Sequence, residues 1–219
     1  MLVVGDVRSV KESVFTPCYE ILKSSISNLP SSLRNHAARS SDNLTSELCE
    51  ATRSLRPCIV VKGGIIESDG KTTASICLTT TFNRDPISAM PRIFDHFCVP
   101  ISPHELIPAN RYREQHVHSM PQEWPRDNGW VIAWPMKTSR PIGGPWVEKV
   151  NGESQTDGPE WFFGKRAVAL LRHECIRKRN EWYEKCKDPD TACALAEEVY
   201  VSGISSSLIH AHSDIESLA

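Results

Sequence analysis

Lys71-Thr-Thr-Ala-Ser-Ile-Cys-Leu-Thr-Thr-Thr-Phe82 alternates in polarity along its length. Ala74, Ile76, Leu78 and Phe82 fall on one side; Thr73, Ser75, Cys77, Thr79 and Thr81 fall on the other. Successive side chains of a strand point to opposite faces, and β-branched residues suit its pleated surface, so the run reads as a half-buried strand. Asp69-Gly70 stands just before it, a pair that accepts positive φ in a two-residue hairpin turn. Folding back across that turn sets Glu67 opposite Thr72, Ile65 opposite Ala74 and Val61 opposite Leu78, so that apolar residues meet on one face. Gly63-Gly64 marks a bulge or a close approach of backbone. The antiparallel hairpin from 58 to 82 is the predicted centre of the sheet.

Upstream, the pattern is helical. Thr16-Pro17 reads as a cap followed by proline at the first helical position, and Cys18, Leu22, Ile26 and Leu29 line one side of the helix until Pro30. A weaker helical segment follows at 32–39. Leu44, Leu48, Ala51 and Leu55 then form a narrow stripe, with Ser41, Asp42 or Asn43 as cap and Pro57 as stop. Downstream, after a turn at Asn83 to Pro86, an apolar segment runs from Ile93 to Val99, and proline punctuates the chain up to Pro145. Gly129 to Trp134 and Trp146 to Val150, the latter closed by Asn151-Gly152, are expected to be strands extending the hairpin's sheet. A long helix is predicted over 159–187, with Val168, Leu171, Cys175, Trp182 and Cys186 as its apolar stripe. Asp188-Pro189 ends it, and a last helix, with Asp190 as its cap, runs to Tyr200.

The predicted class is α+β: a mainly antiparallel sheet built on the central hairpin (58–82) and covered by helices from both ends of the chain. Residues 1–202 form a single globular domain, helical over 16–56, with sheet and Trp/Pro loops over 57–152 and the long and last helices over 159–201. The serine-rich residues 203–219 read as a flexible tail. A formal net charge of -2 supplies no global field to attract nucleic acid or anionic lipid. The first residues do not form a signal peptide, and no apolar run reaches membrane-spanning length. Eight cysteines without a Cys-x-x-Cys pair are then expected to be free thiols in the cytoplasm. Glycine-rich phosphate loops are absent, which argues against a standard nucleotide hydrolase or dinucleotide enzyme.

The sharpest candidate chemistry is His116-Val-His118 followed by Glu123. On a strand the two imidazoles share a face and can share one divalent metal, with Glu123 arriving from the next turn. This His-x-His-x4-Glu set resembles the first metal motif of the cupins, and Pro141-Ile-Gly143 is faintly similar to their second. The resemblance implies a metal held by His116, His118 and Glu123; where the family places a further histidine, this chain has Trp146, and Asn110 replaces a glycine. A loop-packing role for the histidines is the plainer alternative.

A second candidate is aromatic and basic: Trp124, Trp130, Trp134 and Trp146, interleaved with Arg126, Lys137 and Arg140. Exposed indoles flanked by cations suit a protein or small-molecule ligand, a proline-rich peptide, or single-stranded nucleic acid. The alternative is that Trp130 and Trp134 pack the core. On the long helix, Arg172 and Arg179 sit at the margin of the apolar stripe, where each is expected to meet a carboxylate or a ligand anion. His96-x-Cys98 with His173-x-Cys175 could form a zinc site, and His210-Ala-His212-Ser-Asp214 imitates a hydrolase metal motif. The expected function is a cytoplasmic binding or protein-interaction module working through segment 116–146. A small metal-dependent enzyme and a single-stranded nucleic-acid binder are the alternatives.

Overall fold

The computed structural model describes residues 1–26, 54–65, 74–105, 115–147, 149–150, 153–154 and 160–188, and then 190–192, 194–195 and 197–198. The segments predicted at 32–39 and 44–53, the Asp69-Gly70 turn and the tail from 203 lie outside the described residues.

Strand β1 (Val7–Glu12) leads into helix α1 (Phe15–Ile26) and later β2 (Ser54–Lys62) and β3 (Ser75–Thr80). Helix α2 (Arg92–Phe97) runs directly into β4 (Cys98–His104), followed by β5 (Val117–His118), β6 (Asn128–Ile132) and β7 (Ile142–Pro145). A two-stranded ribbon of β8 (Lys149–Val150) and β9 (Glu153–Ser154) precedes helix α3 (Lys165–Lys185). The described strands make a seven-stranded sheet in the order β5-β4-β6-β3-β2-β1-β7. It is antiparallel except between β4 and β5. The α+β class, with a mainly antiparallel sheet flanked by helices from both chain ends, is therefore correct.

Three expectations need correction. The β2–β3 pair is antiparallel as predicted, but Cys58, not Val61, stands opposite Leu78, a slip of three residues. The physical reason is that both faces are buried. Cys58, Val60, Ile76 and Leu78 join one apolar cluster, and Ile59, Val61 and Cys77 join the other, so either register buries apolar side chains. The register also shifts between Val60 and Lys62, and Gly64 bridges to Leu2, which takes the end of β2 away from β3. Second, β2 starts at Ser54, so Leu55 belongs to a strand and is exposed there, rather than to the stripe of a helix. Third, 149–150 pairs with β9 in a separate ribbon, and β7 joins the main sheet beside β1 instead.

Helix α1 lays Phe15, Cys18, Ile21 and Leu22 on the first cluster. The long helix serves both clusters: Val168, Leu171 and Cys175 pack in the second, while Trp182 joins the first. It begins at Lys165, later than expected. After it, Asp188 rather than Asp190 caps the next turn, its carboxylate accepting from Thr191 N–H at 3.0 Å. The chain start is knitted between β2 and residues 161–163, with Leu2 N–H donating to Gly64 O, Gly5 N–H to Val60 O and Phe163 N–H to Gly5 O. Gly5 has φ +98, and a β-carbon there would stand 2.3 Å from the Phe163 carbonyl oxygen. Only glycine fits this crossing.

Candidate functional site

Segment 116–146 divides its tryptophans between the two cores. Trp130 and Trp134 are 2% and 8% exposed, so neither is the open floor of a groove. Trp130 meets His104 edge-on at 4.3 Å, and Trp134 meets Phe97 edge-on at 5.6 Å. The indole N–H of Trp134 donates to Glu20 Oε2 at 3.1 Å. On the opposite face Trp124 is 3% exposed and stacks on half-buried Trp146 at 5.2 Å, with Trp161 and Phe163 also against it. Of the two readings left open for Trp130 and Trp134, the structure bears out core packing: both join the first apolar cluster.

The cations go different ways. Arg126 and Lys137 are exposed, and Arg140 is half-buried, its backbone N–H donating to Thr138 Oγ1. Arg172 turns to the backbone: its Nε donates to the Val61 carbonyl at 2.8 Å, and Nη2 to the same oxygen. Arg179 places its guanidinium 6.0 Å from the Trp134 ring centroid, a cation–π contact. Each cation at the margin of the stripe thus has a structural partner.

One exposed apolar pair is held by backbone bridging. Met120 and Phe162 are 47% and 41% exposed, and their backbones exchange two hydrogen bonds, of 2.8 and 2.9 Å. Residues paired in this way across antiparallel strands point to the same side. Phe162 also bridges to Asp6, and Leu2 to Gly64; exposed Val3 and Val4 lie in the chain between Leu2 and Asp6, and exposed Ile65 follows Gly64.

His116 and His118 carry their Nε2 atoms to 2.9 Å from each other. The backbone is extended here and exposure alternates: Val117 and Ser119 are buried, while His118 and Met120 are exposed and His116 is half-buried. Burial and the neighbouring His116 push the His118 pKa down, with Glu123 opposing. Among the described residues, no group of three or more His, Cys, Asp or Glu side chains converges as a metal site. The His116, His118 and Glu123 set is therefore not assembled, nor is the His96, Cys98, His173 and Cys175 set; the 210–214 motif lies outside the described residues.

Two buried polar clusters went unnoticed in the sequence. Glu12 accepts from Thr16 Oγ1 at 2.8 Å and Thr138 Oγ1 at 2.9 Å, and Arg56 Nε donates to its carbonyl at 2.7 Å. Burial pushes the Arg56 pKa down to about 10 against the charge of Glu12, and burial raises that of Glu20, with the Trp134 bond opposing and the Glu12 charge adding. In the second cluster, His96 Nε2–H donates to Lys178 O at 2.7 Å and Lys178 Nζ donates to His96 O at 2.6 Å, clamping α2 to α3. His96 Nδ1 faces Lys185 Nζ at 3.2 Å and accepts from it, so the ring is neutral. Burial holds its pKa down at about 4. The signal for Glu12 was present, because it shares the inward face of β1 with Val10. Both clusters bind parts of the fold to one another.

The thiols are equally quiet. The six described cysteines are free and buried, and burial pushes the Cys58 thiol up to about 12 and raises Cys77 and Cys98 as well. Cys77 and Cys175 sulfurs lie 4.0 Å apart, well beyond a disulfide bond. No helix among the described residues is long and apolar enough to cross a membrane. Comparison with protein-family models, with curated proteins and with solved structures yields no match to this chain.

Proposed function

We propose that this chain is a binding module that docks a partner protein in the cytoplasm through the Met120–Phe162 seam, framed by the Trp/Pro-rich segment 116–146. The reading takes residues 1–202 as one domain. The observation that carries it is the exposed Met120–Phe162 pair, bridged through Phe162 to the chain start at Asp6, where Val3 and Val4 are also exposed. Exposed apolar patches of this kind mark interaction surfaces, since water contact with them is relieved by association. Behind the seam, Trp124, Trp161 and Phe163 are packed, so the surface is held on a rigid base. The buried, free thiols suit a reducing compartment. The nucleic-acid reading draws no support from the tryptophans, whose faces at Trp124, Trp130 and Trp134 are covered.

The test compares affinity capture by the wild-type chain, Phe162→Asp and Met120→Asp, with Ile176→Asp as an exposed control on α3. A single defined partner, or a second copy of the chain, should be retained by wild type and the control and lost by both seam variants. Equal capture by all four proteins would remove the seam from the function.

A further inference from the structure

We propose that Met120 is a reversible oxidation site: a peroxide turns its thioether into the sulfoxide, whose oxygen closes the open start of helix α3. The side chain is 47% exposed, whereas Met136 is 3% exposed and Met90 is half-buried. Its backbone is held by the two hydrogen bonds to Phe162, and Gly164, the cap residue of α3, follows two residues after Phe162. Gly164 also places the sulfur, because a β-carbon there would stand 3.4 Å from Met120 Sδ. From that β-carbon position a serine or aspartate at a helix start reaches the first-turn N–H groups. Gly164 is extended, with φ -63 and ψ 163, and has no side chain to offer them. The thioether, a weak acceptor, thus sits beside the place that a capping side chain would occupy.

The chemistry at this helix end favours an oxygen over a bare sulfur. The first-turn N–H groups form the positive end of a 21-residue helix, Lys165 and Arg166 follow Gly164, and the turn contains no acidic residue. A sulfoxide oxygen carries partial negative charge and accepts hydrogen bonds more strongly than the thioether. In the oxidation, the sulfur lone pair attacks one peroxide oxygen; an S–O bond forms and the O–O bond breaks. The leaving hydroxide takes the proton of the transferred hydroxyl and departs as water, so sulfur gives up two electrons and the peroxide is reduced. A sulfoxide reductase with a dithiol reverses the step, the dithiol closing to a disulfide and the oxygen leaving as water. Oxidation also makes an apolar side chain of the seam polar. Its effect on partner docking rests on the reading given above, whereas the site at the sulfur does not.

The experiment treats the full chain with dilute hydrogen peroxide, then with dithiothreitol, which restores oxidised thiols and leaves sulfoxides in place. Peptide mass mapping should find one oxygen on Met120 at a rate close to that of Met1, which is 93% exposed, and at least about tenfold faster than on Met136. Oxidised wild type should melt about 2–4 °C above the untreated protein, the effect of a helix cap in a domain of this size. Gly164→Ser, which supplies a cap of its own, should melt higher before treatment and gain nothing from it. Met120→Leu, which removes the sulfur, should not respond either. Reductase and dithiol should return oxidised wild type to its original melting temperature. In the capture experiment, the oxidised chain should release the partner that the untreated chain retains, and regain it after reduction. Three results would overturn the site: Met120 oxidising no faster than Met136, oxidised wild type melting at or below the untreated protein, or an equal rise in Met120→Leu or Gly164→Ser. Absence of capture by the untreated chain would count against the seam reading alone, and capture indifferent to oxidation would remove the docking consequence.

Discussion

Trp134→Ala tests whether the tryptophans of segment 116–146 serve the core or a ligand. The ring is 8% exposed, packs edge-on against Phe97 at 5.6 Å, and lies under the Arg179 guanidinium. Truncation of a buried large aromatic costs about 3–5 kcal/mol through lost transfer energy and the cavity left behind. The Phe97 pair and the 3.1 Å bond from the indole N–H to Glu20 belong to the same ring and do not add independently, so they place the cost in the upper part of that range. A domain of this size loses roughly 2–4 °C per kcal/mol, so the melting temperature should fall by about 8–20 °C. Thermal unfolding followed by far-UV circular dichroism reads this directly, and urea midpoints give the free energy. Trp134→Phe should retain much of the packing and lose the N–H donor, falling between wild type and alanine. A Trp134→Ala variant that melts within a degree of wild type would refute the packing argument and return Trp134 to the surface.

Three further outcomes follow from the same contacts. Burial raises the pKa of Glu20 above its ordinary 4.5, so its contribution favours the fold at low pH and is lost as pH rises through the folded value. Glu20→Gln, which keeps an oxygen for the Trp134 N–H, should therefore melt higher than wild type at pH 7, with the gap closing below about pH 4.5; a lower melting point at both pH values would contradict this. His96 and His104 are held neutral, their pKa pushed by burial from 6.5 down to about 4, so their contribution is complete above 6.5 and is lost as pH falls toward 4. Urea midpoints should drop across that window, and His104→Phe, which preserves a ring against Trp130, should flatten the drop; identical slopes would sink the assignment. Gly129→Ala sets a β-carbon 2.6 Å from Trp124 Cδ1, in a ring already stacked on Trp146, and should cost about 1–3 kcal/mol of stability in a urea titration, with no cost counting against the packing described.

The local periods of this chain were legible without coordinates. Ala74, Ile76 and Leu78 do line one strand face, and Val168, Leu171, Cys175 and Trp182 do form the buried side of one helix. Both patterns arise from backbone geometry within a few residues, and so does the shared face of His116 and His118. What lay beyond reach was anything that depends on a distant segment. The register of β2 against β3 could not be read because apolar side chains alternate on both faces of Cys58 to Val61, and only packing on two sides selects one pairing. The same second layer decides that Trp130 is core and not a ligand floor, since one tryptophan strand face serves either purpose until something covers it. Met120 shares the parity of the two histidines, yet its exposure beside Phe162 comes from a bridge across more than forty residues. Sequence thus determined which residues share a face; tertiary structure determined which faces are buried, because burial is a property of the layers that meet there and not of the strand itself.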